Sequence, residues 1–325
     1  MTRARRAKWV ALLFVSALTL ASATVGVTQG AFAGQTSEGA NIITAMPDFR
    51  GPTIARAEIG KTSGGGTGAT GFIRPSPNQY RVYAQVTDVG TPPSGTATVI
   101  ANVTNVTAGQ TAVALSAGSW TIGGQTYNYR SNALTADALA NGPQTFTVTA
   151  TDVAANISLL NSSVTIDNVA PAPSGLSASN GTTPGRPEVG DVLTLTTTDT
   201  LDTFSVLANW TGAATPVQLR FVQQGGGDRI QIWDSAGTTQ LPFGTINTNR
   251  NDFTTGTLSF NGSTMTQSGG SITITLGAPI VGAVTTVGAG ANMQWTPVNT
   301  VTDRAGNAIT TTAYNEPAPN NDFDF

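Results

Sequence analysis

Residues 143–175 read PQTFTVTATDVAANISLLNSSVTIDNVAPAPSG, and this stretch decides the fold class. Phe146 and Val148 alternate with threonines, which gives one apolar face and one hydroxyl face. Such alternation, rich in β-branched residues, is typical of a half-buried strand. A second alternating run around Val164 and Ile166 predicts the next strand. The stretch therefore predicts an all-β domain.

Two breaks in this stretch mark where one domain closes and another opens. Asp152–Asn156 interrupts the alternation between the strands. Aspartate can accept a hydrogen bond from the backbone two residues on, and asparagine tolerates a left-handed backbone, so the segment predicts a turn. Pro171 and Pro173 then end the pattern, because proline cannot donate to a strand ladder. We expect a domain boundary just before Pro171.

The turn and the proline link resemble the end of a bacterial immunoglobulin-like repeat. That family closes with a strand, a D-x-A-G-N turn, a last strand and a D-x-x-x-P link. The turn recurs near the C-terminus at Asp303–Asn307. The first copy has Ala155 in place of the family's glycine, and we expect Asn156 to take the unusual backbone dihedral instead. The resemblance implies two tandem immunoglobulin-like β-sandwiches and nothing about a ligand.

The N-terminus reads as an export signal. Basic residues precede an apolar run from Trp9 to Val25, and Ala31-Phe32-Ala33 fits a small-x-small cleavage site. The alternative is an uncleaved membrane anchor, for which the apolar run is short. We expect a secreted or cell-surface protein. The predicted divisions are a signal peptide at 1–33, a flexible segment at 34–46, and β-sandwich domains at 47–170 and 171–325.

Further alternating runs follow the same pattern in both halves. Thr53–Ile59 and Tyr80–Thr87 predict strands, and Gly123-Gly124 predicts the two-residue turn of a hairpin. Ser131–Ala140 is the one segment that predicts a short helix. Strands separated by Gly-rich turns favour sandwiches over alternating strand and helix units.

Composition excludes several classes of function. The 325 residues include no cysteine and no histidine, which excludes disulfides, thiolate or histidine metal sites, and Ser-His-Asp triads. The formal net charge is −3, and four of the 15 basic residues lie in the leader. A mildly acidic chain without a basic patch predicts no nucleic-acid partner, and contact with a membrane only through an uncleaved leader. The sequence does not indicate an oligomeric state.

Three kinds of site remain open, and the first is calcium binding at the two aspartate turns. The candidate ligands are Asp152, Asn156, Asp303 and Asn307. Calcium takes six to eight oxygen ligands, whereas each turn offers one carboxylate. We therefore interpret both turns as structural and predict no cofactor, with calcium as the alternative.

The second kind of site is a carbohydrate platform. Tyr127 and Tyr129 share a strand face and are the best stacking candidates. The tryptophans at 210, 233 and 295 are the other large aromatics, and Trp295 lies in an alternating run that predicts core packing. The aromatics alone support this hypothesis.

The third kind is a carboxylate-dependent glycoside hydrolase. Its acid and base would come from Glu188, Asp234, Asp252 and Glu316, yet no spacing brings two of them together. Lys61, the single lysine outside the leader, lies in a loop of Gly, Ser and Thr where we expect it to be exposed. We predict a non-enzymatic structural or adhesive protein with an unidentified surface glycan or matrix protein as partner.

Overall fold

The chain is nearly all β. A computed structural model describes residues 36–38, 41–43, 48–62, 70–90, 93–317, 323 and 325. Strands account for 48% of the structure and helix for 2%, and two large sheets curl into barrel-like sandwiches. The all-β, two-domain prediction is confirmed. Within the described ranges, no helix has the length and apolar character needed to cross a membrane.

The first large sheet has the strand order β3-β5-β8-β7-β6-β10-β11-β4, with β9 paired to β5. A separate hairpin of β1 and β2 precedes it, within the segment predicted to be flexible. The strands are β1 (Thr36–Glu38), β2 (Asn41–Ile43), β3 (Thr53–Lys61), β4 (Phe72–Ile73), β5 (Gln79–Thr87), β6 (Thr96–Asn102), β7 (Val113–Ile122), β8 (Gln125–Ser131), β9 (Leu134–Thr135), β10 (Gly142–Asp152) and β11 (Ile157–Ile166).

Period-two alternation accounts for the core of this sheet. Phe146, Val148 and Ala150 of β10 are buried, while the threonines between them are partly exposed. The strand pairs antiparallel with β11 across the Asp152–Asn156 turn, as predicted. Gly123 and Gly124 have φ of 58° and 71°, so the predicted hairpin between β7 and β8 is also confirmed.

The second large sheet has the order β12-β13-β18-β17-β14-β15-β16-β20-β21, with β19 paired to β17. Its elements are β12 (Pro173–Ser179), β13 (Val192–Thr197), α1 (Thr203–Val206), β14 (Thr215–Val222), β15 (Arg229–Asp234), β16 (Thr245–Asn247), β17 (Thr257–Ser268), β18 (Ser271–Thr275), β19 (Ile280–Val281), β20 (Gln294–Thr296) and β21 (Tyr314–Asn315).

The two sheets have separate cores. The first draws its buried residues from between Ala57 and Ile166, and the second from between Leu176 and Phe325. Trp295 is 1% exposed in the second core, as predicted, and its Nε1 donates to a main-chain oxygen at 2.7 Å. The boundary at residue 170 stays a prediction, with which the separate cores are compatible.

The helix predicted at Ser131–Ala140 is wrong. Ser131 ends β8, and Leu134 lies in β9, where it pairs with Tyr80. Ala136 is buried, and its N–H donates to the Asn78 oxygen at 3.0 Å. The backbone bonds of this segment go to other strands, so tertiary contacts override its helix propensity. The one helix among the described residues is the single turn α1, capped by the Asp202 side chain.

Both domains open in the same way. β3 pairs antiparallel with β5, and β12 pairs antiparallel with β13. Each opening strand has a register shift near its start, between Ile54 and Arg56 in β3 and between Pro173 and Gly175 in β12. The shared bulge aligns the two domains residue by residue at this end.

Candidate functional site

Three aspartates meet where the first domain begins. Asp48 precedes β3, Asp88 follows β5, and Asp152 ends β10. Carboxylate oxygens from the three lie within 4.8 Å of one another. The strands bring them together because the start of β3 and the ends of β5 and β10 fall at the same edge of the sandwich. We call this group the first aspartate cluster.

The Asp152–Asn156 turn is tied to the start of the domain. Oδ1 of Asp152 accepts from the Asn156 N–H at 2.7 Å, and Oδ2 accepts from Nδ2 of Asn156 at 2.8 Å. The same Nδ2 donates to the main-chain oxygen of Asp48 at 3.3 Å. Ala155, and not Asn156, takes the left-handed backbone, with φ of 68°. The expectation for Asn156 is therefore wrong, because the turn places its left-handed residue one position earlier, where the second turn has Gly306 with φ of 96°.

A second aspartate cluster repeats this arrangement in the second domain. Asp167, Asp199 and Asp303 also bring carboxylate oxygens within 4.8 Å. Oδ1 of Asp303 accepts from the N–H groups of Gly306 at 2.7 Å and Asn307 at 2.8 Å. Nδ2 of Asn307 donates to Oδ2 of Asp303 at 2.8 Å and to the main-chain oxygen of Asp167 at 3.1 Å. Each asparagine thus joins the closing turn of its domain to the opening residue.

Sequence reasoning found the two turns and the Asp167–Pro171 link, and it missed Asp48, Asp88 and Asp199. The signal for Asp48 was a repeat of that link, because Asp48 and Asp167 each stand four positions before a proline, at Pro52 and Pro171. Asp88 and Asp199 carry no such signal. Their place follows only from the pairing of β5 with β3 and of β13 with β12.

The two clusters differ in their electrostatics. Burial raises the pKa of Asp303 above its usual range, and the charge of Asp167 adds to the effect. Burial likewise raises the pKa of Asp167, to which Asp199 contributes. In the first cluster, the N–H of Arg50 lowers the pKa of Asp48. Asp167 and Asp303 therefore favour the neutral carboxyl more than an exposed aspartate does, whereas Asp48 favours the carboxylate.

Either cluster offers three carboxylates to a cation. Calcium takes six to eight oxygens, so main-chain oxygens or water would have to complete the set. The carboxylates already accept main-chain hydrogen bonds, for example Asp48 from the N–H groups of Arg50 and Ser94, both at 3.0 Å. The geometry admits a cation and does not depend on one.

The second cluster lies at the junction between the domains, where Lys61 enters. This residue ends β3, and its side chain is 4% exposed. Its Nζ lies 2.7 Å from Oδ2 of Asp202, 2.9 Å from the main-chain oxygen of Arg304 and 3.3 Å from that of Asp303. The expectation that Lys61 is exposed is wrong. The second domain supplies the three acceptors that allow an ammonium group to be buried.

Other contacts flank this lysine at the junction. The Arg304 guanidinium stacks 4.1 Å above the ring centroid of Phe72 in β4 and donates to the Thr70 oxygen at 3.4 Å. The N–H of Asn168, in the link between the domains, donates to Oδ1 of Asn141 of the first domain at 3.0 Å. Burial raises the pKa of Asp202, while the charge of Lys61 opposes that shift. The junction is thus a set of directional polar contacts.

A polar cleft of about 340 Å³ opens beside the junction. Both domains line it, with Thr70 and Gly123 from the first and Gln267 among those from the second. Oε1 of Gln267 is buried and has no hydrogen-bond partner. Ligand sites occur preferentially in concave pockets at domain interfaces. The cleft is a concave, largely polar surface that both domains line.

The aromatic residues do not form the predicted platform. Tyr127 is fully buried against Tyr83, with 5.7 Å between ring centroids, so it has no exposed face for a sugar. Tyr129 is half-buried and packs against the first core. Trp210 is buried in the second core, and Trp233 lies under the Arg220 guanidinium at 4.2 Å. Tyr127 is thus corrected to a packing residue, because β8 turns its ring inward.

The four acids of the hydrolase hypothesis are engaged separately. Glu188 accepts from Thr183, and Asp234 accepts from Thr238 at 2.8 Å. Asp252 pairs with Arg250, and Glu316 accepts the Met293 N–H at 2.9 Å. None of the four belongs to either acidic cluster found among the described residues.

A comparison with models of known protein families, and another with curated proteins, found no match to this chain. The resemblance to bacterial immunoglobulin-like repeats therefore stays a prediction, carried by the two turns and the Asp167–Pro171 link.

Proposed function

We propose that this chain is a non-enzymatic, exported structural protein whose two immunoglobulin-like domains act as one stiff spacer. The observation that carries the proposal is the burial of Lys61 of the first domain among three acceptors of the second. An ammonium group held from three directions fixes both the distance and the orientation of its partner. A spacer on a cell surface or in a matrix needs this property.

Contacts other than those of Lys61 also hold the two domains together at the junction. Arg304 reaches Phe72 and Thr70, and Asn307 joins its own turn to Asp167 in the segment that links the domains. Interfaces between domains of one chain are by default mobile unless they are large and hydrophobic, so a polar junction needs specific contacts to hold it. Several directional contacts around one buried charge support a held junction.

The residue types support the absence of catalysis. General acid–base chemistry near neutral pH calls on histidine or on carboxylates that are paired across a cleft. Histidine is absent, and the candidate acids accept local hydrogen bonds or pair with arginine. Turnover of any polysaccharide, peptide or ester that disappears when one acid is changed to its amide would contradict this part of the proposal.

Small-angle scattering on the full chain tests the stiffness. We expect one interdomain arrangement to account for the wild-type curve, and Lys61→Ala to require a range of interdomain angles. The control is Arg186→Ala, since Arg186 pairs with Glu188 at an exposed position in the second domain. A wild-type curve that already requires many angles would refute the stiff spacer.

Carbohydrate binding is the second candidate, and the junction cleft favours it. The hydroxyls of Thr70, Thr200 and Thr211 line the cleft and offer donors and acceptors for sugar hydroxyls. A glycan array with the full chain tests this candidate. Binding that Gln267→Ala abolishes and Gln294→Ala leaves intact would support it, and an array without signal would end it.

A further inference from the structure

Large apolar side chains are exposed at one end of the first domain. We call this end the head, and it is the end that carries the first aspartate cluster. Phe49 is 69% exposed and Val153 is 68% exposed. Hydrogen bonds within the cluster hold the segments of both residues together, because Asn156 bonds to Asp152 and Asp48. The exposed apolar residues of the head are Phe49, Val89, Val153, Ile157 and Leu159.

The head corresponds in position to the surface of the second domain that contacts the first. Phe49 stands one residue after Asp48, as Asn168 does after Asp167, and Val153 stands one residue after Asp152, as Arg304 does after Asp303. The residues at these corresponding positions, Asn168 and Arg304, are polar, and both bond to the first domain: Asn168, in the link between the domains, through its backbone N–H, and Arg304 through its guanidinium.

The corresponding positions of the head are apolar and uncovered. Val89 follows Asp88 as Thr200 follows Asp199, so this third pair of positions is also apolar in the head and polar in the second domain. The covered end of the second domain is thus polar, whereas the exposed head of the first is apolar. Solubility alone would favour the reverse. Contiguous exposed apolar groups mark interaction sites. The head is therefore the better candidate for a contact with another molecule.

A second group of exposed apolar residues lies at the opposite end of the molecule. We call this end the tail, the end of the second domain away from the junction. β12 and β13 run from the junction to this end, where Ser179 pairs with Val192. Val189 lies in the loop between them, and Val281 pairs with Ser259 near the start of β17. The exposed apolar residues of the tail are Val189, Ile280, Val281 and Phe323.

Exposed large apolar residues are concentrated at these two ends. Among the described residues, the remaining two are Val169, beside the second aspartate cluster, and Val298, in the loop after β20. Beyond Leu159, the exposed positions of β11 are Asn161 and Ser163, and those of β10 are Pro143 and Thr145. Association through the sides of the molecule would therefore bury little apolar surface.

We propose that copies of this chain associate head to tail, with the head of one copy against the tail of the next. Within one chain, the far end of the first domain already meets the near end of the second. A head-to-tail contact between copies would repeat this end-to-end order of the domains, with apolar groups in place of the Lys61 ion pair. A heterologous contact of this kind does not close on two copies, so it produces rings where the rotation between copies closes and open chains where it does not.

This inference goes beyond the proposed spacer, because a spacer need not polymerise. The two proposals fail separately. Scattering from single molecules at low concentration tests the stiffness of the junction, whereas only the concentration dependence of mass tests the contact between copies.

Analytical ultracentrifugation of the full chain across a wide concentration range is the first measurement. We expect the mass to increase with concentration beyond that of a dimer. A head variant, Phe49→Ser with Val153→Ser, and a tail variant, Val189→Ser with Val281→Ser, should each weaken association about tenfold or more, because each removes apolar area from the contact. Val298→Ser is the matched control and should leave the mass unchanged.

Mixing the two variants tests the polarity of the contact. The head variant keeps its tail and the tail variant keeps its head, so an equal mixture should form a complex of two copies and no larger species. A tail variant that dimerises by itself would show head-to-head contact and overturn the proposal. A wild type that stays monomeric at every concentration would also overturn it, as would a head variant with wild-type mass. Unchanged circular dichroism confirms that the exposed substitutions leave the fold intact.

Discussion

The two aspartate clusters are made from the same parts and differ in what covers them. In both, an aspartate before the first strand, one after the second strand and one in the closing turn meet within 4.8 Å. The first cluster lies at the open head, whereas the second has the buried Lys61 of the other domain beside it. The comparison teaches that local sequence sets the hydrogen bonding of each turn, while the neighbouring domain sets its burial and charge balance.

The difference predicts unequal roles in stability. Asp303 is fully buried and accepts three hydrogen bonds, from two N–H groups and one amide. Asp152 is also buried, and within the described part of the chain its side chain accepts from Asn156 alone. We therefore expect changes at the junction to cost more than matching changes at the head.

The largest expected effect is at Lys61. Lys61→Met leaves Asp202 buried without its ion-pair partner and should lower the free energy of unfolding by about 3–5 kcal/mol. Urea denaturation with separate probes for each domain measures the loss. A variant that also carries Asp202→Leu should regain part of it, because the unpaired charge is then gone.

The exposed pair at the other end of the second domain is the control for Lys61. The side chain of Arg186, which pairs with Glu188, is 42% exposed. Arg186→Met should change the free energy of unfolding by about 0–1 kcal/mol, since exposed ion pairs contribute little. Equal losses at Lys61 and Arg186 would contradict the burial of the junction pair.

The fold class was predictable because strands carry a local signal. The alternation of Phe146 and Val148 with threonine, and the Gly123-Gly124 turn, each determine a conformation over a few residues. The segment 131–140 was mispredicted because its helix-forming residues are overridden by pairing with Tyr80 and Asn78, which lie far away in sequence.

The candidate site was predictable only in part. The turns at Asp152 and Asp303 repeat a recognisable motif, but Asp88 and Asp199 join the clusters through strand pairing that no local pattern encodes. The burial of Lys61 was missed for the same reason. A lysine next to a Gly-rich loop is normally solvated, and its three acceptors all come from the other domain.

A smaller effect is expected when the turn aspartates are removed. Asp303→Ala should cost about 3 kcal/mol, because it leaves several buried donors without an acceptor. Asp152→Ala should cost about 1–2 kcal/mol, because only Asn156 loses its partner. Thermal and urea unfolding of both variants measure the two losses and show which turn contributes more to stability. A greater loss at Asp152 would show that the covered turn is not the more important one.

Each turn has one residue with a left-handed backbone, and we expect substitutions at these two residues to change stability in opposite directions. Ala155 has φ of 68°, where a side chain is unfavourable, and Gly306 has φ of 96° in the second turn. Ala155→Gly should raise stability by up to about 1 kcal/mol, and Gly306→Ala should lower it by about 1 kcal/mol or more. Differential calorimetry of both variants checks the signs. Destabilisation by Ala155→Gly would show that chain entropy outweighs the strain.

The smallest expected effect is that of calcium, which we predict to be close to zero for both clusters. Every carboxylate of the first cluster accepts a main-chain N–H, for example Asp88 from Gly90 at 3.3 Å, so neighbouring donors already offset the charge repulsion. A site saturated at a hundred times its Kd would add about 2.7 kcal/mol, or roughly 5–10 °C in Tm. Melting curves in EDTA and in millimolar calcium should therefore coincide.

If calcium raised Tm by that amount, Asp88→Asn and Asp199→Asn would assign the ion to one cluster, because each removes one carboxylate from one cluster and leaves both turns intact. Loss of the shift in one variant alone would place calcium in that cluster and replace the structural interpretation there.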